Sequence, residues 1–325
     1  MLSDTAIKSY FLDGFHMQVF TPAVIKHKNI KIFFAHATGI AAPTYKSFLK
    51  NWAQAWGIEI HTYDMRGFGL TRESSAQSYL DFGRKDLMSA LEYDHEQLYW
   101  HLRGQNNAVQ WIFAGHSLGG WMSLFAAAHC HVREVILFDI ALLRLPQASL
   151  WAAACLTGQR HLHTLAKHAR RRKKTFKSVA DMARLFGRMP FFKNWPKARI
   201  QDYIDANYEA RADGVHLRHE PHWEADVFES QPTSMSVSLL KIEQGVRNSL
   251  NINIILGSES KVSHPQAGVY LKKFFDNTAW MFLPDAGHML TFEKEEALIH
   301  MLEAIKNKII PAEQIEYKDD LKFAG

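Results

Sequence analysis

The stretch WIFAGHSLGG at positions 111–120 decides the fold. The apolar run 109–114 has the residue types of a buried strand, and the apolar segment 121–128 that follows the turn has helical character. Gly115 and Gly119 stand two residues on either side of Ser117, which leaves room for the strand and the helix to approach closely. The pattern predicts a strand, a tight turn with a serine at its apex, and a helix whose first N–H groups lie beside the hydroxyl.

Strand-like and helix-like segments alternate on both sides of this stretch. The sequence predicts an opening hairpin over 10–20, strands over 29–35, 58–63, 134–140, 251–257 and 279–283, and helices over 44–56, 80–102, 265–275 and 293–306. This alternation predicts an α/β fold with a doubly wound, mostly parallel sheet.

The alternation stops between residues 141 and 249, where the chain becomes helical, basic and rich in Trp, Phe and His. We therefore expect one core domain, residues 1–140 and 250–325, with a helical cap inserted at 141–249. Ligands of open α/β sheets bind at the carboxyl ends of the strands, and both ends of the insertion emerge there. The cap is expected to form a lid over the site, and the last residues, 310–325, are expected to form a polar tail.

Composition narrows the class of protein. The net charge of +5 allows contact with anionic surfaces without requiring a nucleic acid. Cys130 and Cys155 are the only cysteines, which favours a reducing compartment over a disulfide framework or a thiolate zinc site. The sequence has neither a secretory signal pattern nor the run of ~20 apolar residues that a transmembrane helix needs. The expected location is the cytoplasm.

A serine hydroxyl becomes a nucleophile only when a base removes its proton and a third group orients that base. His288 is the candidate base because it follows a predicted strand through the Gly-containing turn 284–288 and lies after Ser117 in chain order.

Four motifs carry a resemblance to a known family: HATG at 36–39, DMRGFG at 64–69, GHSLGG at 115–120 and GHML at 287–290. With them the chain resembles serine hydrolases of the α/β-hydrolase superfamily, in particular esterase, lipase and lysophospholipase-like members with a helical cap. The resemblance implies an α/β-hydrolase fold with Ser117 as nucleophile and His288 as general base. It also implies an oxyanion hole made by the backbone N–H groups of Leu118 and Thr38, although Ala37 replaces the usual glycine after His36.

The residue that orients the base departs from the family pattern. Many relatives carry the acid as G-x-x-D after the strand that follows the cap, whereas this chain has Gly-Ser-Glu-Ser at 257–260. Asp139 is the preferred candidate, because some superfamily members place the acid at that strand end and neighbouring parallel strands lie ~5 Å apart. Glu259 is the alternative, and Asp285 or the absence of any acid remains open.

For several other residues the sequence favours a structural role over a catalytic or binding one. The pair Asp64 and Arg66 is expected to fix its own loop. The basic run Arg170, Arg171, Arg172, Lys173 and Lys174 favours a solvated helix face, with weak contact to an anionic surface as the alternative. His216, His219 and His222 do not predict a metal site, because Pro221 breaks their common helical face. The aromatic residues Trp151, Phe186, Phe191, Phe192, Trp195 and Trp223 are expected to pack the cap, and some of them to line an apolar acyl pocket.

The predicted function is cleavage of a carboxylic ester, small or lipid-like, through an acyl-enzyme, with no cofactor and no metal. Serine at the elbow argues against epoxide hydrolase and haloalkane dehalogenase chemistry, which need a carboxylate nucleophile. The alternatives are hydrolysis of a C–C bond or a thioester by the same residues, or a non-catalytic ligand-binding protein, which Ser260 at the usual acid position motivates. The predicted partner is the ester substrate, with no nucleic acid and no stable membrane insertion.

Overall fold

The computed structural model describes residues 5–71, 87–106, 108–142, 145–231, 238–239, 242–263, 271–272 and 274–310. The strands of this part of the chain are β1 (Ala6–Leu12), β2 (Phe15–Thr21), β3 (Ile30–Ala35), β4 (Glu59–Tyr63), β5 (Gln110–His116), β6 (Glu134–Phe138), β7 (Thr175–Phe176), β8 (Tyr208–Arg211), β9 (Gly214–Leu217), β10 (Asn251–Gly257) and β11 (Asn277–Leu283). The helices are α1 (Lys46–Trp56), α2 (Leu87–Arg103), α3 (Leu118–His129), α4 (Leu145–Leu156), α5 (Thr164–Arg170), α6 (Val179–Phe186), α7 (Lys197–Asn207), α8 (Pro221–Ser230), α9 (Gln244–Ser249), α10 (Leu290–Glu293) and α11 (Glu295–Ile309).

An eight-stranded sheet with the order β1-β2-β4-β3-β5-β6-β10-β11 forms the centre of the fold. The hairpin β1–β2 is antiparallel and β2 pairs antiparallel with β4, while all pairs from β4 to β11 are parallel. The predicted doubly wound, mostly parallel sheet is therefore confirmed. Because parallel strands end at the same edge, the loops after β3, β5, β6, β10 and β11 meet there.

Helices cover both faces of the sheet, as the hydrophobic alternation of the strands requires. On β3, Phe33 packs in one buried cluster with residues of α2 and α3, whereas Ile32 and Phe34 pack in a second cluster with residues of α1 and α11. Burying each such side chain stabilises the fold by roughly 1.5–3 kcal/mol. The two clusters hold the central strand ends rigidly in place.

The cap segment, defined here as residues 141–249, contains α4 to α9 and also a three-stranded antiparallel sheet with the order β7-β9-β8. The sequence pattern predicts helices alone in this segment, so the small sheet differs from the expectation. Asp213-Gly214, between β8 and β9, is a hairpin signal. Gly214 has φ +140°, and a Cβ atom there would collide with the Phe176 carbonyl of β7. The cap segment thus combines helices with a sheet that only a glycine at this position allows.

Buried hydrogen bonds join the cap segment to the core. The Oδ1 atom of Asn207, at the end of α7, accepts from the Ala41 N–H (2.9 Å), and its Nδ2 donates to Thr44 Oγ1 (3.0 Å). The Trp223 Nε1–H, on α8, donates to the Arg66 carbonyl (2.9 Å). Because buried polar groups are costly to leave unpaired, these contacts fix the orientation of α7 and α8 on the core.

Three predicted segments lie partly or wholly outside the described residues. They are the start of the helix over 80–102, most of the helix over 265–275 and the tail beyond residue 310. Cys130 and Cys155 are free thiols. Within the described ranges, each helix is too short or too polar to span a membrane.

Candidate active site

The turn between β5 and α3 holds Ser117 in a strained backbone conformation. Ser117 has φ 54° and ψ −116°, in the region of positive φ that residues with a side chain rarely adopt. The surrounding glycines make this turn possible. A Cβ atom at Gly119 would lie inside van der Waals distance of the Ala35 carbonyl, and one at Gly115 would collide with the Gly119 backbone. The close approach of strand and helix leaves the Ser117 side chain at the wall of a large cavity.

Three side chains from the ends of different strands form a hydrogen-bonded row. His288, in the turn after β11, has its Nε2 atom 3.1 Å from Ser117 Oγ and its Nδ1 atom 2.6 Å from Asp139 Oδ2. An ionised carboxylate only accepts hydrogen bonds, so Nδ1–H donates to Asp139 and Nε2 accepts from the Ser117 O–H. The Asp139 side chain is fully buried. The row therefore combines a hydroxyl, a base within reach of it and a carboxylate that fixes the tautomer of the base.

Four donors hold the Asp139 carboxylate. Its Oδ1 accepts from the Gly257 N–H (2.9 Å), and its Oδ2 accepts from Ser260 Oγ (2.6 Å), His288 Nδ1 and Ser263 Oγ (2.9 Å). The single Ser263 hydroxyl proton is shared with the Ile140 carbonyl (2.5 Å). These roles of the two serines were not predicted from the sequence. Serine at the position where many relatives carry the acid was the available signal, because it now donates to a carboxylate supplied by the neighbouring strand.

The alternative acids lie elsewhere. The Glu259 N–H donates to the Ala286 carbonyl (2.9 Å), and its side chain lines the cavity. Asp285 is exposed, and its N–H donates to Ser258 Oγ (2.9 Å). Among the described residues, Asp139 is the carboxylate that is hydrogen-bonded to His288.

A second hydrogen-bonded chain runs behind this row through His116. The His116 Nε2–H donates to the His288 carbonyl (2.8 Å), and its Nδ1 accepts from the Tyr45 hydroxyl (2.7 Å). The Tyr45 oxygen in turn accepts from the Ala37 N–H (3.2 Å). Burial lowers the pKa of His116 to about 3, so the ring stays neutral, with one donor and one acceptor nitrogen. The chain links the turn that carries His288 to the loop after β3, and the roles of Tyr45 and His116 were not predicted from the sequence.

The loop after β3 lies beside Ser117. Thr38 and Leu118 line the same cavity as Ser117 and His288. The Thr38 hydroxyl oxygen is buried and has no hydrogen-bond partner among the described residues. Gly39 follows with φ +74°, and a Cβ atom there would collide with the Glu224 carboxylate of α8. The cap segment therefore contacts this loop directly.

His36 anchors the same loop. Its Nδ1–H donates to the Ala37 carbonyl (2.8 Å), and its Nε2 accepts from the Met65 N–H (2.8 Å). Burial lowers the pKa of His36, so the imidazole is neutral in this environment. With both nitrogens engaged, His36 packs the loop and has no free nitrogen to act as a base.

A cavity of about 1490 Å³ lies between the core and the cap segment and has Ser117 and His288 in its wall. Ligand pockets usually measure about 300–1,000 Å³, so this cavity is large. Most of its wall is apolar, with contributions from Trp121, Leu142, Trp151, Leu165, Leu185, Phe186, Met189, Phe191, Phe192, Phe228, Leu239, Leu271 and Phe274. Such a wall fits a long or bulky apolar group next to the serine.

The model of the alpha/beta hydrolase family matches residues 32–300. The chain belongs to the alpha/beta hydrolase family.

A search of curated proteins found no match. Solved structures with the same fold include E-2-(acetamidomethylene)succinate hydrolase, with a TM-score of 0.69, 17% identity, and coverage of 94% of this chain and 99% of that chain. The peroxisomal alpha-beta-hydrolase of Saccharomyces cerevisiae has a TM-score of 0.68 and 15% identity, and the coverage is 99% and 92%. An esterase from Mycobacterium tuberculosis has a TM-score of 0.62 and 16% identity, and the coverage is 93% and 91%.

In this alpha/beta hydrolase, Asp64 and Arg66 make contacts inside the core. Asp64 is fully buried and accepts from the Ala42 N–H (2.8 Å), the Leu70 N–H (2.9 Å) and His16 Nδ1 (2.8 Å). The Arg66 guanidinium makes a bidentate contact with Asp94 at 2.7 and 2.5 Å. Both charges therefore stabilise the loop after β4, and neither lines the cavity.

Two of the three histidines around Glu220 are hydrogen-bonded to different carboxylates. His216 pairs with Asp213 (2.8 Å) and His219 with Glu224 (3.0 Å). Within the described ranges, no group of three or more His, Cys, Asp or Glu side chains is placed to hold a metal ion.

Proposed function

We propose that the chain is a serine hydrolase that cleaves a carboxylic ester of a long or bulky apolar acyl group. The observation that carries the proposal is the row Ser117–His288–Asp139 in the wall of a large apolar cavity. The esterase among the solved structures of the same fold adds support for this reaction class.

In the proposed mechanism Ser117 Oγ attacks the ester carbonyl carbon while its proton passes to His288 Nε2. The buried Asp139 carboxylate stabilises the imidazolium that forms. The backbone N–H groups of Thr38 and Leu118 donate to the developing oxyanion, and each such donor is typically worth ~3 kcal/mol in the transition state. Collapse of the tetrahedral intermediate breaks the C–O bond, and the leaving alcohol takes the proton from His288.

Water then completes the cycle. His288 removes a proton from a water molecule that attacks the acyl-enzyme, and the acid is released as the proton returns to Ser117 Oγ. The cavity wall holds the acyl chain during both steps, which favours substrates with a long apolar chain because each buried methylene contributes ~0.8 kcal/mol.

Labelling with a fluorophosphonate probe tests the nucleophile. We expect stoichiometric labelling of the wild-type protein and none of Ser117→Ala, while Ser89→Ala, at an exposed serine on α2, labels like the wild type. Labelling that persists in Ser117→Ala, or is absent from the wild-type protein, would contradict the proposal.

A panel of p-nitrophenyl esters of rising chain length, beside thioesters of the same acids, tests the substrate class. We expect kcat/KM to rise with chain length and the oxygen esters to react faster than the thioesters. If the acetyl ester is the best substrate, or if only the thioesters are turned over, the proposed substrate class is wrong.

A further inference from the structure

Positive charge is concentrated in one part of the cap segment. Residues 160–193 contain 11 Lys and Arg side chains, and Asp181 is their single acidic residue. Over the whole cap segment, 18 Lys and Arg stand against 10 Asp and Glu, a net +8, so the rest of the chain carries a net −3 within the total of +5. The net charge of +5 is therefore the sum of a positively charged cap segment and a remainder with a small negative charge.

The basic run at 170–174 is divided between two environments. Arg170 and Arg172 form ion pairs with Glu229 and Glu224 of α8, and Lys174 pairs with Glu220, the residue just before that helix. Burial opposes ionisation of Glu224, yet Arg172 and His219 hold its pKa below the ordinary value. Every second cation of the run is therefore committed to packing within the cap segment.

The cations between them face solvent. Six exposed cations of residues 160–193 form no ion pair with any described residue: Lys167, Arg171, Lys173, Lys177, Arg188 and Lys193. Because no acidic partner screens them, they give this surface a strongly positive potential.

Exposed apolar side chains accompany these cations. They are Leu162, Leu165, Val179, Leu185, Met189 and Phe191, with exposed fractions between 39% and 44%. Four of them, Leu165, Leu185, Met189 and Phe191, also line the cavity that contains Ser117, as do Arg171 and Lys173. The cavity therefore reaches the surface through a rim that is apolar and cationic.

We propose that residues 160–193, called here the cap face, dock on an anionic lipid bilayer. Exposed cations at this density attract an anionic headgroup layer, and the apolar side chains among them suit the acyl boundary beneath it. An acidic protein would match the charge but would not require the apolar rim around the cavity. The second part of the inference rests on the proposed function: the ester reaches Ser117 from the bilayer through this rim.

The test uses the full-length protein carrying Ser117→Ala, so that binding is measured without turnover. Partition onto sedimented vesicles of phosphatidylcholine is compared with partition onto vesicles of phosphatidylcholine and phosphatidylserine. We expect strong binding to the mixed vesicles, weak binding to the neutral ones, and loss of binding as salt is raised. Equal partition onto both kinds of vesicle, or none onto either, would overturn the proposal.

Matched variants locate the surface. The triple change Lys167→Gln, Lys177→Gln and Lys193→Gln is expected to lower the partition coefficient onto mixed vesicles roughly 100-fold. The control replaces three exposed lysines of the core, by Lys8→Gln, Lys28→Gln and Lys308→Gln. This control is expected to change the partition coefficient only several-fold. A control as damaging as the cap-face triple would reject the location, because net charge alone would then explain the binding.

A second pair of matched variants tests the exposed apolar side chains of the cap face. Leu162→Ser with Val179→Ser is expected to lower partition at least 10-fold, whereas Phe11→Ser with Val24→Ser, at exposed positions of the core, leaves it unchanged. Capture of polyglutamate with no vesicle binding would assign the surface to an acidic protein. Vesicle binding by a protein that fluorophosphonate does not label would refute the hydrolase proposal and leave the docking surface standing.

Discussion

At the residue scale, the carboxylate beside His288 is the feature that most constrains the chemistry. Asp139 has φ 39° and accepts from one backbone N–H, two serine hydroxyls and one imidazole N–H. A carboxylate surrounded by donors is held in one orientation, and it holds the imidazole in one tautomer in turn. Ser260 takes part in this support, so the loop after β10 contributes a donor where the family pattern has the acid.

Asp139→Asn is expected to lower kcat by about 10³–10⁴-fold at neutral pH, because an amide in place of the carboxylate favours the wrong tautomer of His288. The measurement is kcat for the best p-nitrophenyl ester. Glu259→Gln, in the same cavity but not bonded to His288, is the matched control and should stay within a few-fold of wild type. If instead Glu259→Gln loses activity and Asp139→Asn keeps it, Glu259 orients the base.

At the element scale, the approach of β5, α3 and the loop after β3 decides whether the serine is presented at all. A Cβ atom at Gly119 would collide with the backbone of Ala35, and one at Gly120 with the Ile140 side chain, so neither position in the first turn of α3 has room for a side chain. Helix propensity alone would place alanine at both positions. The two glycines lower the intrinsic stability of the helix and allow the close packing that the elbow needs.

Gly119→Ala is expected to reduce the free energy of unfolding by about 3 kcal/mol or more, since backbone must move to admit the methyl group. Gly245→Ala, in α9, is the control. A Cβ atom at Gly245 has open space, so this change should leave stability unchanged or raise it by up to ~1 kcal/mol. Urea denaturation measures both, and a Gly119→Ala protein as stable as wild type would contradict the packing described above.

At the scale of the whole molecule, buried neutral histidines make stability depend on pH. Burial lowers the pKa of five buried histidines: His36, His61, His95, His116 and His219. For His95 and His116 the pKa falls to about 3. In the unfolded chain each would titrate at about pH 6.5. Between these values the unfolded state binds more protons, so stability is complete above pH 6.5 and is lost as the pH falls.

His95→Phe is expected to flatten this dependence, because one histidine buried in contact with Phe33 no longer takes up a proton on unfolding. From pH 6 to pH 4 His95, with a pKa of about 3, contributes a slope of up to about 1.4 kcal/mol per pH unit. The measurement is the free energy of unfolding in urea across that range for wild type and variant. His101→Phe, at an exposed position on α2, should keep the wild-type slope. Identical slopes for His95→Phe and wild type would show that His95 is protonated in the folded state.

The sequence by itself determined the class of fold and the elbow. Alternating buried strands and amphipathic helices have few packing solutions, and the glycine spacing around Ser117 is a local steric requirement that any fold with this turn must meet. His288 was also within reach of sequence reasoning, because strand, turn and histidine are contiguous in the chain. Each of these features depends on neighbours in sequence.

Only the tertiary structure decided which groups from distant positions meet. Asp139, rather than Glu259, contacts His288 because β6 lies next to β10 and the loop after β10 turns its serines toward that strand end. Tyr45 joins His116 across 71 positions of the chain, and alternate cations of the run 170–174 pair with carboxylates in α8 and at its N-cap. These contacts depend on the order of strands and the docking of helices, which arise from packing of the whole core and leave no periodic signal in the sequence.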